Sequence, residues 1–119
     1  MAKHHQLGKK GEEAATELLQ RKGYKILERN YRYLKAEIDI IAQKDDTVVA
    51  VEVKTRSTPE FGNPQDFVKP QQIKRLVSAL DHYITKNDLN VEARFDIIGI
   101  IKNKLGTRIE HLKDAFLYF

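Results

Sequence analysis

The chain has 119 residues, 41% of them hydrophobic, which suits one folded domain and leaves no room for a second core. It has no cysteine, so disulfides, thiolate zinc sites and cysteine nucleophiles are excluded. Lysine and arginine number 21 against 17 acidic residues, and the net charge of +4 permits polyanion binding without requiring it. The apolar runs are too short to span a bilayer, and the basic N-terminus lacks the apolar core of a secretory signal. We therefore expect a cytoplasmic protein without membrane association.

The first half of the chain predicts a helix followed by three strands. Residues 1–6 are interpreted as a flexible basic tail, and residues 7–22 carry apolar side chains at helical spacing before a stop at Gly23. Residues 24–31 alternate as a strand does. Residues 36–42 and 47–55 are richer in isoleucine and valine and flank a polar turn, so they predict a hairpin of two largely buried strands.

The second half predicts a long loop, a helix and two more strands. Residues 56–67 hold two prolines and a glycine, and irregular stretches of this length are often functional. Pro70 opens a helix over 71–84 that has an apolar stripe. Strands are expected at 94–101 and, on the sheet edge, at 108–116. The order α-β-β-β-α-β-β predicts one α/β domain over residues 1–119, a mixed sheet flanked by helices.

Acidic residues occupy positions in this hairpin where a buried sheet should be apolar. Alternation divides the first strand into two faces: Glu37, Asp39 and Ile41 on one, Ile38, Ile40 and Ala42 on the other. The second strand likewise has one face formed by Val48, Ala50, Glu52, Lys54 and Arg56. With Asp45-Asp46 as a two-residue turn, paired residue numbers sum to 91, which sets Asp39 opposite Glu52 and Glu37 opposite Lys54.

Two carboxylates on directly opposed residues of a hairpin repel each other unless a cation neutralises them. Hard oxygen ligands suit Mg²⁺ or Mn²⁺, which keeps waters for a substrate phosphate. Lys54, on the same face as Glu52, is placed to contact the scissile phosphate or the attacking water. The alternative is a salt-bridged edge hairpin whose Glu37–Lys54 pair is worth under about 1 kcal/mol. The coincidence of two acids and a lysine in apolar strands favours the active site.

A further acid lies on the first helix. Glu12 shares the inward stripe of Ala15 and Leu19, whereas Glu13 lies on a polar face with Thr16, Glu17 and Gln20. Two interpretations of Glu12 remain open: a third metal or water ligand, or an acid favoured by the dipole at a helix N-terminus.

Basic and polar residues near the second helix are candidates for nucleic-acid binding. Lys69, Lys74 and Arg75 either grip phosphates or are simply solvated, and Gln72 either positions the substrate or is an ordinary polar helix residue. Arg56, in the basic cluster that follows Glu52, is assigned to the same surface. Arg94 and Asp96 predict a structural ion pair, while His82 and His111 stand alone without metal-ligand spacing.

Five segments carry a family resemblance: Gly8–Glu12, Ala36–Ile41, Val51–Lys54, Pro70–Arg75 and Arg94–Asp96. Across residues 8–101 the chain resembles the YraN family of bacterial proteins, which is similar to the restriction-endonuclease-like PD-(D/E)XK superfamily, near the Holliday-junction resolvases. The resemblance implies that Asp39 and Glu52 are metal ligands, Lys54 the catalytic lysine and Glu12 the helix-borne acid. Glu37 stands where the superfamily motif has proline, and Ala36 where the family commonly has glycine.

These observations predict a Mg²⁺- or Mn²⁺-dependent nuclease that hydrolyses phosphodiester bonds in DNA, including branched or otherwise structured DNA. One alternative is a nucleic-acid-binding protein that keeps the fold without turnover. Another is an interaction protein whose acidic hairpin pairs with a basic partner. Whether the chain acts as a monomer or a homodimer is left open by the sequence.

Overall fold

The computed structural model describes residues 2–57 and 68–116, with side chains from residue 10 onward. Most of the loop predicted at 56–67 lies outside the described residues. The elements are α1 (Ala2–Arg21), β1 (Lys25–Tyr33), β2 (Ala36–Lys44), β3 (Thr47–Arg56), α2 (Pro70–Lys86), β4 (Glu92–Asn103) and β5 (Gly106–Leu112). The predicted α/β class and the order α-β-β-β-α-β-β are confirmed.

The five strands form one mixed sheet in the order β1-β2-β3-β4-β5. β3 pairs in parallel with β4, and the other neighbouring pairs are antiparallel. Because α2 connects the two parallel strands, it crosses one face of the sheet, and α1 covers the other. The β2–β3 turn has the predicted register, since Lys44 pairs with Thr47 and Ile40 with Val51.

Each face of the sheet has its own apolar core. On the α2 side the helix stripe Leu76, Ala79, Leu80 and Tyr83 packs on a cluster that includes Ile41, Val48, Ala50, Phe95 and Ile97. On the α1 side the helix residues Ala15 and Leu19 pack with Ile40, Ala42, Val49, Val51, Ile98 and Ile100. β2 and β3 are therefore buried on both faces, which explains their nearly continuous apolar sequences.

Gly11 sets the distance between α1 and the sheet. A Cβ atom at this position would clash with Thr55 Oγ1 and lie 3.4 Å from Ile100 Cδ1. Glycine thus permits α1 to approach β3 and β4 closely at the residue before Glu12. This contact holds the acid-bearing turn of the helix over the sheet.

Several expected boundaries and faces differ from the structure. α1 begins at Ala2, so the helix includes residues 2–6 and starts earlier than the predicted residue 7. β5 ends at Leu112, because Asp114 has a φ of +53° and its N–H donates to Asp96 rather than continuing a ladder. Ile38 packs in the same cluster as Ile41, apart from Ile40, so the simple alternation predicted for β2 is interrupted around Asp39.

Thr16 also differs from its prediction. Helical spacing predicts that it lies on the polar face of α1 with Glu13, whereas it is buried at 9% exposure. Its hydroxyl donates to the carbonyl oxygen of Glu12 at 2.8 Å, which satisfies the polar group inside the protein. The apolar stripe of α1 is therefore wider than the sequence pattern indicated.

Candidate active site

Asp39 lies where β2 and β3 separate. Among the described residues of the two strands, pairing ends at Ile40 and Val51. Beyond that point the backbone N–H of Val53 donates to Asp39 Oδ2 at 2.8 Å, so a side chain takes the place of the next ladder bond. The half-buried Asp39 carboxylate is consequently fixed by the backbone of the neighbouring strand.

Glu52 is the second acid of the site and is only 9% exposed. Its carboxyl group is within hydrogen-bonding reach of Asp39. Burial, followed by the negative charge of Asp39, raises the pKa of Glu52 to about 8, although Lys54 opposes the shift. Burial also raises the pKa of Asp39, against the Val53 hydrogen bond and the other nearby donors. The pair therefore favours a shared proton or a bound cation over two free negative charges.

Lys54 is adjacent to this pair. Its Nζ lies 3.5 Å from Glu52 Oε1, and its side chain is 24% exposed. Glu37 instead pairs with Arg32 of β1 at 3.0 Å. The Glu37–Lys54 surface pair, on which the salt-bridged hairpin alternative depended, is not formed among the described residues. Lys54 is thus directed at the acids rather than at the strand edge.

The two acids open into a cleft between the sheet and the start of α2. The cleft has a volume of about 490 Å³ and is lined by Lys35, Ala36, Glu37, Asp39, Glu52, Lys69, Gln71, Gln72, Arg75 and Leu76. Three of the predicted nucleic-acid-binding residues, Lys69, Gln72 and Arg75, therefore meet the acids in one cavity. Of the described residues, Lys74 and Arg56 are exposed but do not line it.

Two lining residues were not identified from the sequence. Lys35 is in the β1–β2 turn, and Gln71 is in the first turn of α2. The signal for Lys35 was its position directly before the acidic strand motif. Gln71 carried no signal beyond its proximity to Gln72, because helix phase alone does not show which side of a first turn faces a cleft.

Glu12 lies near the pair but does not complete a three-acid cluster. Burial, and then the charge of Asp39, raises the pKa of Glu12, while Arg29 lowers it. Its carboxylate is 3.9 Å from the Arg29 guanidinium. Within residues 2–57 and 68–116 no group of three or more histidine, aspartate or glutamate side chains is arranged to hold a metal ion. The structure thus brings Glu12 into the electrostatic field of the site without placing it as a ligand.

Asp39 and Glu52 by themselves fit a hard divalent cation. They supply oxygen donors, and burial raises the pKa of both carboxyl groups despite the nearby Lys54, so a cation would stabilise their ionised forms. Mg²⁺ is commonly held by one or two carboxylates, with waters and substrate phosphate as the remaining ligands. Such an ion, when bound, would polarise a phosphoryl oxygen and lower the pKa of an attacking water.

Separate substitution of Glu12 and of Glu13 tests which face of α1 points toward the two acids. Glu13 is exposed and forms a 2.7 Å ion pair with Arg29, so Glu13→Gln should change unfolding free energy by at most about 1 kcal/mol and leave Mg²⁺ affinity unchanged. Glu12→Gln should weaken Mg²⁺ affinity several-fold, because it removes a negative charge that acts on Asp39. Isothermal titration with Mg²⁺ measures both effects. Equal losses in the two variants would contradict the placement of Glu12.

A second polar cluster lies away from the cleft, around the fully buried Asp96. Arg94 donates to both carboxylate oxygens at 2.9 Å, which confirms the predicted ion pair. His111 is not isolated as predicted, since its Nε2 lies 2.7 Å from Asp96 Oδ2 and its Nδ1 lies 2.8 Å from Lys22 Nζ. Tyr24 also accepts a hydrogen bond from Arg94 at 2.6 Å. This network joins the α1–β1 connection to β4 and β5, and local sequence pattern does not reveal it because its members are far apart in the chain.

The domain matches a known protein family over most of its length. The profile of the family described as "Uncharacterised protein family UPF0102" matches residues 11–100. The chain belongs to this family. A UPF0102 protein of Christiangramia forsetii is 67% identical over 119 residues, covering 100% of both chains, and one of Flavobacterium psychrophilum is 56% identical over the same span. A relative in Bacteroides fragilis is 48% identical over 116 residues, or 98% of this chain and 96% of its own.

UPF0102 is the YraN family, so this membership confirms the predicted resemblance to that family, while the relation to the PD-(D/E)XK superfamily stays a prediction. The matched residues include Glu12, both acids of the cleft, Lys54 and the start of α2. As a separate observation, no helix among the described residues is both long and apolar enough to cross a membrane.

Proposed function

We propose that this chain is a Mg²⁺- or Mn²⁺-dependent nuclease that hydrolyses phosphodiester bonds in DNA. The observation that carries the proposal is the Asp39–Glu52 pair, fixed at the opened end of a hairpin with Lys54 next to it. A folded protein gains nothing in stability from two adjacent, partly desolvated carboxylates, so their placement is best explained by a ligand that neutralises them.

The proposal gives each group a role. Asp39 and Glu52 would hold the metal ion, and Val53 N–H keeps Asp39 oriented. Lys54, after release from Glu52 by the cation, would stabilise the charge that develops on the phosphate or orient the attacking water. The resemblance to the restriction-endonuclease-like superfamily supports the same roles for the same residues.

The cleft also has the charge needed for a nucleic-acid backbone. Lys69 and Arg75 line it opposite the acids, and neither has an acidic partner among the described residues. A DNA strand could thus contact these cations at the N-terminal end of α2 while one phosphate meets the proposed metal site. Phosphate contacts of this kind supply much of the affinity of proteins for nucleic acid.

A second candidate function is nucleic-acid binding without turnover. It is favoured by the absence of a third metal ligand among the described residues. It is disfavoured by the burial of Glu52 beside Asp39, because a protein that only binds phosphate would bind it better without two acids in its cleft.

Incubation with linear, single-stranded and branched DNA in Mg²⁺ or Mn²⁺ tests the proposal. The wild-type protein should cleave at least one substrate, and Lys54→Ala should reduce the rate by about 10²-fold because a transition-state contact is lost. Lys104→Ala, at an exposed position in the β4–β5 turn, is the matched control and should leave the rate unchanged.

Metal binding separates the two candidate functions. Mg²⁺ should raise the melting temperature of wild type and of Lys54→Ala alike, because the lysine acts on phosphate or water rather than on the ion. DNA binding with neither cleavage nor a metal-induced rise in melting temperature would favour the non-catalytic function.

A further inference from the structure

An apolar recess adjoins the acidic cleft. It has a volume of about 440 Å³ and is lined by Tyr33, Leu34, Lys35, Ala36, Arg75 and Ser78. Lys35, Ala36 and Arg75 line the cleft as well, so the two cavities adjoin. The volume is in the range of sites that bind small organic groups. Whatever occupies the recess therefore lies next to the candidate catalytic acids.

Leu34 gives the recess an exposed apolar edge. Its side chain is 84% exposed, although leucine is an apolar residue. It also has a φ of +55° in the turn between β1 and β2, where glycine or asparagine is the favoured residue. Leucine at this position, unlike Leu105, borders the recess, so its exposed side chain is available for apolar contact with a bound group.

An ordered aromatic group forms the neighbouring wall. The ring of His82 stacks on Tyr33 with a centroid distance of 3.9 Å and an interplanar angle of 16°. The Tyr31 hydroxyl in turn lies 3.0 Å from His82 Nδ1. Tyr33 is thus held in a fixed orientation by α2, and His82 is not isolated as the sequence suggested. Fixed aromatic and apolar side chains are the usual surfaces for stacking of bases.

Charge at the junction of the two cavities narrows the choice of occupant. Lys35 and Arg75 are exposed cations, and in the described part of the chain no acidic side chain pairs with either. An occupant must therefore combine an apolar planar part with anionic groups directly beside it. A nucleotide has this combination, with its base in the recess and its phosphate between the cations and the acids.

We propose that the recess receives an unpaired nucleobase of the DNA strand whose neighbouring phosphate lies in the acidic cleft. Because a base in a duplex is stacked and paired, it cannot enter the recess without leaving the helix, and an unpaired base enters at lower cost. The preferred substrate class is therefore DNA with an unpaired base next to the scissile phosphate. This inference rests on the proposed nuclease function.

The test uses two duplexes that differ in one base. In one, 2-aminopurine is unpaired at a single-nucleotide bulge; in the other, the same base is paired. Binding is measured in Ca²⁺ by anisotropy and by 2-aminopurine fluorescence, and cleavage is measured in Mg²⁺. The wild-type protein should bind the bulged duplex about tenfold more tightly, the effect expected of stacking on one base.

Leu34→Asn removes the apolar edge and supplies a residue that tolerates positive φ, so the turn is preserved. The preference for the bulged duplex should then fall to near unity, with affinity for the paired duplex unchanged. Leu105→Asn is the matched control, because Leu105 is 96% exposed in the β4–β5 turn, away from both cavities. This variant should still bind the bulged duplex about tenfold more tightly than the paired duplex.

Three results would overturn the inference. Equal affinity of the wild type for both duplexes, with Mg²⁺-dependent cleavage retained, would refute the base site and leave the nuclease function intact. Absence of both binding and cleavage would refute the two together. Self-association of the wild type that Leu34→Asn abolishes would assign the recess to a second copy of the chain instead.

Discussion

Glu52→Gln should stabilise the protein at alkaline pH and at the same time reduce Mg²⁺-dependent cleavage by about 10³-fold. The catalytic loss follows from removal of one of the two proposed carboxylate ligands, since the proposed ion is expected to supply several kcal/mol of transition-state stabilisation. The gain in stability has a different origin, because the glutamine amide can donate to Asp39 as a protonated Glu52 does, without ever acquiring a charge.

The pH dependence of this gain follows from the raised pKa of Glu52. In the unfolded chain a glutamate ionises near pH 4.3, whereas burial beside Asp39 raises the pKa of Glu52 in the folded protein to about 8. Between these values the folded state binds more protons, so wild-type stability falls as pH rises and the loss is complete above pH 8. Glu52→Gln cannot ionise at this position, so its stability relative to wild type should increase as pH rises between these two pKa values.

Thermal unfolding without metal, at pH 5 and pH 9, measures the effect. We expect Glu52→Gln to be close to wild type in stability at pH 5 and to exceed it by up to about 4 kcal/mol at pH 9, which is roughly 10–20 °C in a domain of this size. Glu17→Gln, at an exposed position on α1, is the control and should show no such trend. A variant less stable than wild type at pH 9 would mean that the Glu52 carboxylate is compensated within the protein.

Asp96→Asn should destabilise the protein by about 3 kcal/mol. Asp96 is fully buried and receives hydrogen bonds from Arg94, His111 and the Asp114 backbone. Removing its charge leaves the Arg94 guanidinium partly buried without a counterion, which is the costly way to break a buried ion pair. Glu110→Gln, in the exposed 3.6 Å pair with Arg108, is the matched control and should cost under about 1 kcal/mol.

Asp96→Asn should also alter how the free energy of unfolding depends on pH in the acid range. Burial opposes ionisation of Asp96, but hydrogen bonds from His111, Arg94 and Asp114 outweigh it and hold the pKa of that carboxyl below its usual value. The stabilisation is thus present above the unfolded pKa of about 3.9 and is lost as pH falls through the folded value. Wild type and Asp96→Asn should accordingly converge in chemical denaturation below about pH 4. A constant difference down to pH 2 would show that Asp96 acts through packing alone.

Much of this protein is determined by local sequence. The order of elements follows from hydrophobic periodicity, and the β2–β3 register follows from the Asp45-Asp46 turn, where Asp45 has the positive φ that such turns require. Extending that register places Asp39 opposite Glu52, and alternation along β3 places Lys54 on the same face as Glu52, although the β2–β3 ladder itself ends at Ile40 and Val51. The inward phase of Glu12 was likewise determined by helical spacing.

Only the tertiary structure decided how these residues are used. Strand separation at Asp39 depends on a side chain replacing a ladder bond with Val53, which periodicity does not encode. Both Lys35 and Arg75 line the two adjoining cavities, and this placement depends on where α2 packs across the sheet. The Lys22–His111 contact joins residues 89 positions apart. Local pattern reports which side of an element faces inward, whereas the neighbour that it meets there is decided by packing between distant segments of the chain.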